Sequence, residues 1–178
     1  MILQKKKNTF IRRIQRFFPN FAIMNISWSE IKPYENELPT NYADRIGRLY
    51  TDTVTAAFKK SNGQFFTPVS IAYFMGRQIS VNKDFISVLD PGCGTAILSC
   101  AVIENLVLQS KVKRIELVTY ETDENLIPGL QKVLEYITMW GMRHNVRIDC
   151  RSYCEDFILS NYSVLYSCLL YTSDAADE

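Results

Sequence analysis

"VLDPGCGTAILSC", residues Val88 to Cys100, stays apolar up to an acid, turns through two glycines and continues as a helix-forming stretch. The residues that lead into it, FISVLD at 85–90, read as a buried strand. Strand, glycine turn and helix in that order put a loop at the carboxyl end of a strand, where open α/β sheets bind ligands. Gly92 and Gly94 let the backbone approach a ligand closely and take φ > 0, which a Cβ resists.

The alternation continues downstream. TAILSCAVIENLVLQ (95–109) predicts a helix and RIELVTYE (114–121) a second strand. DENLIPGLQKVLEYITMWG (123–141) predicts a helix interrupted near Pro128 and closed by Gly141. NVRIDC (145–150) reads as a third strand, and CEDFI (154–158) as a short apolar element after an acidic turn. Strands separated by helices argue for βαβ units and a parallel sheet. NYSVLYS (161–167) approaches a fourth strand, so the expectation is a sheet truncated after about three strands, in a fragment of a longer protein. The final CLLYTSDAADE (168–178) is similar to the in-frame translation of a sequencing-library adapter and is set aside from the fold as an artefact.

Upstream, SNG at 61–63 marks a turn, and Thr67 with Pro68 forms an N-cap and N1 pair for a helix through Ile79. A helix is expected from about Asn41 to Lys60, with Ile46, Leu49, Val54, Ala57 and Phe58 on one face. MNISWSEIKPYENELPTN (24–41) is a connecting arm, and Met24 an alternative start. FIRRIQRFF (10–18), in a basic segment free of acids, is a solvated amphipathic helix first and a phosphate-binding element second. Residues 1–60 are thus an N-terminal helical and basic arm, and residues 61–167 the partial α/β domain.

With 178 residues, 47% of them hydrophobic, the chain has enough for one domain with a core. A net charge of +1 says nothing by itself about nucleic acid. No stretch reaches the ~18 apolar residues of a membrane span. Five cysteines without CxxC spacing, and no export signal, point to reduced thiols in the cytoplasm. Cys150 and Cys154 have helical spacing, but His144 is the only histidine and a zinc site takes about four ligands, so no metal is expected.

Three ligand classes compete for the glycine turn. A phosphate-cradling loop needs GxxxxGK[ST], and no lysine follows. A dinucleotide fingerprint needs a glycine where Ile97 stands. S-adenosylmethionine carries an ammonium and no pyrophosphate. In that reading Asp90 supplies negative charge and Glu121 accepts from the ribose hydroxyls. Against it, Asp90 is a plain helix cap and Glu121 a solvated strand end; the ordered series of acid, glycine turn, helix, strand and acid favours the ligand. Cys93 is a small residue in a tight loop rather than a nucleophile, Trp140 and Met139 are packing residues, and His144 is a loop histidine without a partner. Lys59 and Lys60 are at least as well read as a solvated helix end as a phosphate contact.

DPGCGTAIL (90–98) resembles the first motif of class I S-adenosylmethionine-dependent methyltransferases, in the form typical of adenine-N6 DNA methylases. GQFFTPVSIAYFM (63–75) is similar to a further cofactor motif that precedes it in the same enzymes, YETDENLIPGL (120–130) to the second motif and CEDFI to the third. The resemblance, to the Eco57I-like restriction-modification methylases, covers roughly residues 60–160 and implies a Rossmann-like sheet. It implies that Phe66, Thr67 and Pro68 pack around the methionine end of the cofactor, and that Asp90, Gly92 and Gly94 form the wall of its site. By the same resemblance Glu121 holds the ribose, Thr122 or Asp123 lies near the adenine, and Asp156 with Phe157 faces it. Ala96 stands where a glycine is common. The Asn-Pro-Pro-Tyr loop that holds a flipped adenine in this family is absent from the 178 residues, so the chain carries no catalytic set of its own. Double-stranded DNA is the implied partner. Methylation of RNA or of a protein glutamine, and a non-catalytic nucleotide-binding module, are the alternatives.

Overall fold

The computed structural model describes residues 26–54 and 66–163. The expectations for the basic start, Met24, Lys59, Lys60 and residues 168–178 lie outside them. Eight elements follow in chain order: α1 (Pro39–Thr53), α2 (Val69–Arg77), β1 (Phe85–Asp90), α3 (Ile97–Gln109), β2 (Arg114–Tyr120), α4 (Ile127–Arg143), β3 (Arg147–Tyr153) and the single turn α5 (Phe157–Ser160). The strands form one parallel sheet in the order β1-β2-β3, with Val88 beside Leu117 and Leu117 beside Cys150. This is the α/β architecture that the alternation of apolar runs predicts.

Alternation within each strand decides which face is covered. Ile86, Val88, Ile115, Leu117 and Ile148 point to the core shared with α3 and α4. Phe85, Leu89 and Tyr153 stand on the opposite face and are exposed. That face also carries the ion pairs Arg114–Asp149 (2.9 Å), Arg147–Asp149 (2.8 Å) and Arg151–Glu116.

Helix α1 belongs to this same core. It packs on α3 and α4 and buries Tyr42, Ala43, Ile46, Gly47 and Tyr50. Each large apolar side chain so buried contributes about 1.5–3 kcal/mol. The buried face therefore runs through Tyr42, Ile46 and Tyr50, whereas Leu49, which the sequence reading placed on it, is 36% exposed. The helix is anchored by Glu104 of α3, whose carboxylate accepts from the Thr40 backbone N–H (2.9 Å) and hydroxyl (2.6 Å). Burial raises the Glu104 pKa, against the lowering effect of those bonds. Where α2 crosses α3, Gly76 is required: a Cβ there would stand 2.7 Å from the Ala101 carbonyl carbon and oxygen.

Four local readings differ from the structure. Thr67 does not cap α2; Pro68 holds the cap position and its carbonyl accepts from Ile71 and Ala72, both at 3.0 Å. Pro128 opens α4 instead of interrupting it, since a first-turn residue needs no N–H partner. Gly141 lies inside α4, where a Cβ would strike the Ile148 side chain, and the left-handed residue past the helix is Asn145 (φ 60°). His144 has a partner: its Nδ1 lies 2.9 Å from the Trp140 carbonyl, with its ring against the buried Trp140 indole. Among the described residues no helix is long and apolar enough to cross a membrane, and no cluster of His, Cys, Asp and Glu is arranged to hold a metal.

Candidate cofactor site

The glycine turn leaves β1 at its carboxyl end and is held by acids on both sides. Asp90 accepts from the Ser99 hydroxyl of α3 (2.6 Å) and from the Gly92 N–H, so it closes the turn back onto the helix that follows. Burial raises its pKa, and those two hydrogen bonds oppose the shift. Glu121 is placed just past β2. One of its oxygens accepts from the Gly94 N–H at 2.9 Å and the other from the Asp123 N–H at 2.8 Å. A carboxylate oxygen has about two lone-pair sites, so each retains capacity for a further donor.

Backbone bonds tie the loops together. The Cys93 N–H donates to the Tyr120 carbonyl and the Glu121 N–H to the Tyr153 carbonyl, both at 3.0 Å. Cys93 is buried, and burial pushes its thiol far above its ordinary pKa, which disfavours the thiolate.

Gly94 has φ 55°, and a Cβ there would lie 3.3 Å from the Phe66 ring, which covers it. A Cβ on Gly92 would meet nothing within 4 Å, so the turn presents open backbone beside a covered glycine. Ala96 is also left-handed (φ 59°, ψ 31°) and fully buried at the start of α3. That conformation explains why glycine suits position 96 and why alanine there is strained.

The structure thus brings Phe66, Gly94, Glu121 and Asp123 into one connected set, with Asp90 and Gly92 beneath. Thr67 and Pro68 line a cavity of about 450 Å³ that continues from Phe66 toward α1. Thr122 is exposed and makes no side-chain hydrogen bond among the described residues. Asp156 caps α5, accepting from Ile158 and Leu159 N–H at 2.9 and 3.0 Å. Phe157 packs edge-on against Tyr120, which stacks on Tyr153. These last two residues join the rest only through the strand ends.

The sequence reading missed the contribution of α1. The Tyr50 hydroxyl donates to Asp123, its ring packs edge-on to Phe66, and Gly47 faces Phe66 and Thr95. The available signal was the spacing Tyr42, Ile46, Gly47, Tyr50, obscured by the polar residues between them.

The N-6 DNA Methylase family model matches residues 42–129, from the first turns of α1 to the start of α4. The Type II methyltransferase M.AccI of Acinetobacter calcoaceticus is 31% identical over 90 residues, 51% of this chain and 16% of that protein. The Type II methyltransferase M.BsuBI of Bacillus subtilis is 33% identical over 109 residues, 60% of this chain and 21% of that protein. The matched stretches thus span about a fifth or less of the length of these relatives. A solved structure from Listeria monocytogenes, described provisionally as a class I S-adenosylmethionine-dependent methyltransferase, aligns at TM-score 0.37 and 20% identity. It covers 65% of this chain and 34% of its own. Residues 42–129, which hold the Phe-Thr-Pro segment, the glycine turn and Glu121, are thus similar to the N-6 DNA methylase family.

Proposed function

We propose that this chain provides the S-adenosylmethionine-binding side of a site-specific adenine-N6 DNA methyltransferase of a restriction-modification system, acting on double-stranded DNA in the cytoplasm. One observation carries the reading: Phe66 and the Glu121 carboxylate, distant in sequence, both close on Gly94. In this reading residues 61–167 form the donor-binding unit, with α1 as an added wall, and residues 168–178 take no part.

The residues fit such a donor. The open backbone at Gly92 admits close approach, the cavity beside Thr67 and Pro68 is of ligand size, and the carboxylates of Asp90 and Glu121 hold the turn, which suits a cationic ligand. When bound, the donor supplies an electrophilic methyl on a sulfonium. Glu121 spends one lone pair per oxygen on the two turns and offers the others to the ribose hydroxyls. Asp123, oriented by Tyr50 and Asn125, borders the adenine with Thr122, and Asp156 and Phe157 flank it from β3. Phe66 shuts water from the back of the turn. In this reading the chain's own residues hold the donor; the Asn-Pro-Pro-Tyr loop that holds a flipped adenine in the family is not among its 178 residues.

Titration calorimetry of the folded 178-residue chain tests this: S-adenosylmethionine should bind, and NAD should not. No binding by a chain that shows a cooperative thermal transition, or tighter binding of NAD, overturns the reading.

A further inference from the structure

Tyr50 closes a circuit of contacts between segments that are far apart in the chain. It stands in the last turn of α1, is only 2% exposed, and donates its hydroxyl to Asp123, 73 residues away. Its ring meets Phe66 edge-on, with centroids 6.3 Å apart. From Asp123 the circuit runs through the backbone N–H to one Glu121 oxygen (2.8 Å), and from the other Glu121 oxygen to the Gly94 N–H (2.9 Å). Gly94 lies under the Phe66 ring, so the path returns to the tyrosine from which it left.

The Asp123 carboxylate is committed to the protein. One oxygen accepts from both the backbone N–H and the side-chain amide of Asn125, at 3.0 and 3.1 Å, which fills it. The other takes the Tyr50 hydroxyl. So engaged, Asp123 fixes the turn that follows β2, and the backbone N–H of that turn fixes Glu121. Tyr50 is thus two hydrogen bonds removed from the Glu121 carboxylate. Packing against Phe66 needs only the ring, and a phenylalanine would supply it; the hydroxyl serves the carboxylate. A hydrogen bond from a buried phenol to a charged acceptor is among the stronger and more directional ones a fold can make.

We infer that Tyr50 is a positioning residue for the donor's ribose: its hydroxyl holds Asp123, and through Asp123 the Glu121 carboxylate, in the orientation that receives the ribose hydroxyls. This rests on the donor-site reading above and deepens it, since a side chain of α1 then governs an acceptor at the end of β2 without touching the ligand.

Titration calorimetry with two ligands on the full chain tests this: S-adenosylhomocysteine, and its 2′,3′-dideoxyribose analogue, which keeps the adenine, sulfur and amino acid and lacks the hydroxyls. The unsubstituted chain should bind the first at least ~10-fold more tightly, as a hydrogen bond to a charged group gives. Tyr50→Phe keeps the ring against Phe66 and should weaken S-adenosylhomocysteine about 5- to 30-fold while changing the dideoxy analogue less than about twofold. Asp123→Asn, in which one side of the carboxylate loses its acceptor, should show the same selectivity and carries the test if Tyr50→Phe lacks a cooperative thermal transition. A role in packing alone would weaken both ligands together. Equal losses for both ligands, or no loss for S-adenosylhomocysteine, in the variant that folds overturn the inference while leaving the donor site standing. Binding of neither ligand by the folded, unsubstituted chain overturns the donor-site reading itself.

Discussion

Glu121→Gln removes one acceptor and nothing else of size. The carboxylate spans two backbone donors, Gly94 N–H at 2.9 Å and Asp123 N–H at 2.8 Å, one on each oxygen. An amide has a single acceptor oxygen, so whichever way it flips, one N–H faces an NH₂ group. A hydrogen bond to a charged group contributes about 1.5–3 kcal/mol, and the half-buried position places Glu121 at the lower end, about 1.5 kcal/mol. For a domain of this size that lowers Tm by about 3–6 °C. Binding suffers separately, because the remaining lone pairs assigned to the ribose lose their charge; about 1.5–3 kcal/mol corresponds to roughly a 10- to 150-fold weaker Kd for S-adenosylhomocysteine. Differential scanning calorimetry and titration calorimetry measure the two. Glu121→Gln with unchanged Tm refutes the stapling argument, and unchanged affinity refutes the ribose assignment.

Three further outcomes are expected. Glu104→Ala orphans the buried Thr40 N–H and hydroxyl and should cost about 3 kcal/mol by chemical denaturation, whereas Glu104→Gln keeps an acceptor and should cost under about 1 kcal/mol. Because the Glu104 pKa is raised on folding, the folded state binds the extra proton, so stability from this group falls as pH rises from the unfolded carboxylate value through the folded one. Glu104→Gln should flatten that slope between acid and neutral pH, and an unchanged slope counts against the assignment. Gly76→Ala puts a Cβ 2.7 Å from the Ala101 backbone and should destabilise by about 1–3 kcal/mol in urea unfolding; a neutral result means α2 and α3 separate freely. Ala96→Gly relieves a left-handed alanine, about 1–2 kcal/mol, against about 0.8 kcal/mol for the lost buried methyl and about 0.4–1 kcal/mol of added chain entropy. The net shift should lie within about 1 kcal/mol of zero, and a loss beyond about 2 kcal/mol would show that the methyl, not the backbone, governs this position.

The strands and the helices after them were legible because FISVLD, RIELVTYE and NVRIDC are short β-rich runs between longer helical ones. The glycine turn was legible because Gly92, Gly94 and Asp90 lie together in sequence. What stayed hidden is what depends on distant chain. Glu121 was picked as a ligand acceptor, yet its contact with Gly94 follows only from the pairing of β1 with β2. Gly141 has the composition of a helix end, and only the close approach of Ile148 gives it another purpose. Helix α1 carries Thr40, Gly47 and two tyrosines on its buried face, a composition that hydrophobic periodicity undercounts.

The ties between strand ends have an evolutionary consequence. Cys93 N–H donates to the Tyr120 carbonyl and Glu121 N–H to the Tyr153 carbonyl, so neighbouring loops are joined by peptide groups that any residue but proline supplies. A lineage can therefore exchange the side chains at 93, 120 and 153 and still inherit the same frame, spending its variation on what the frame grips.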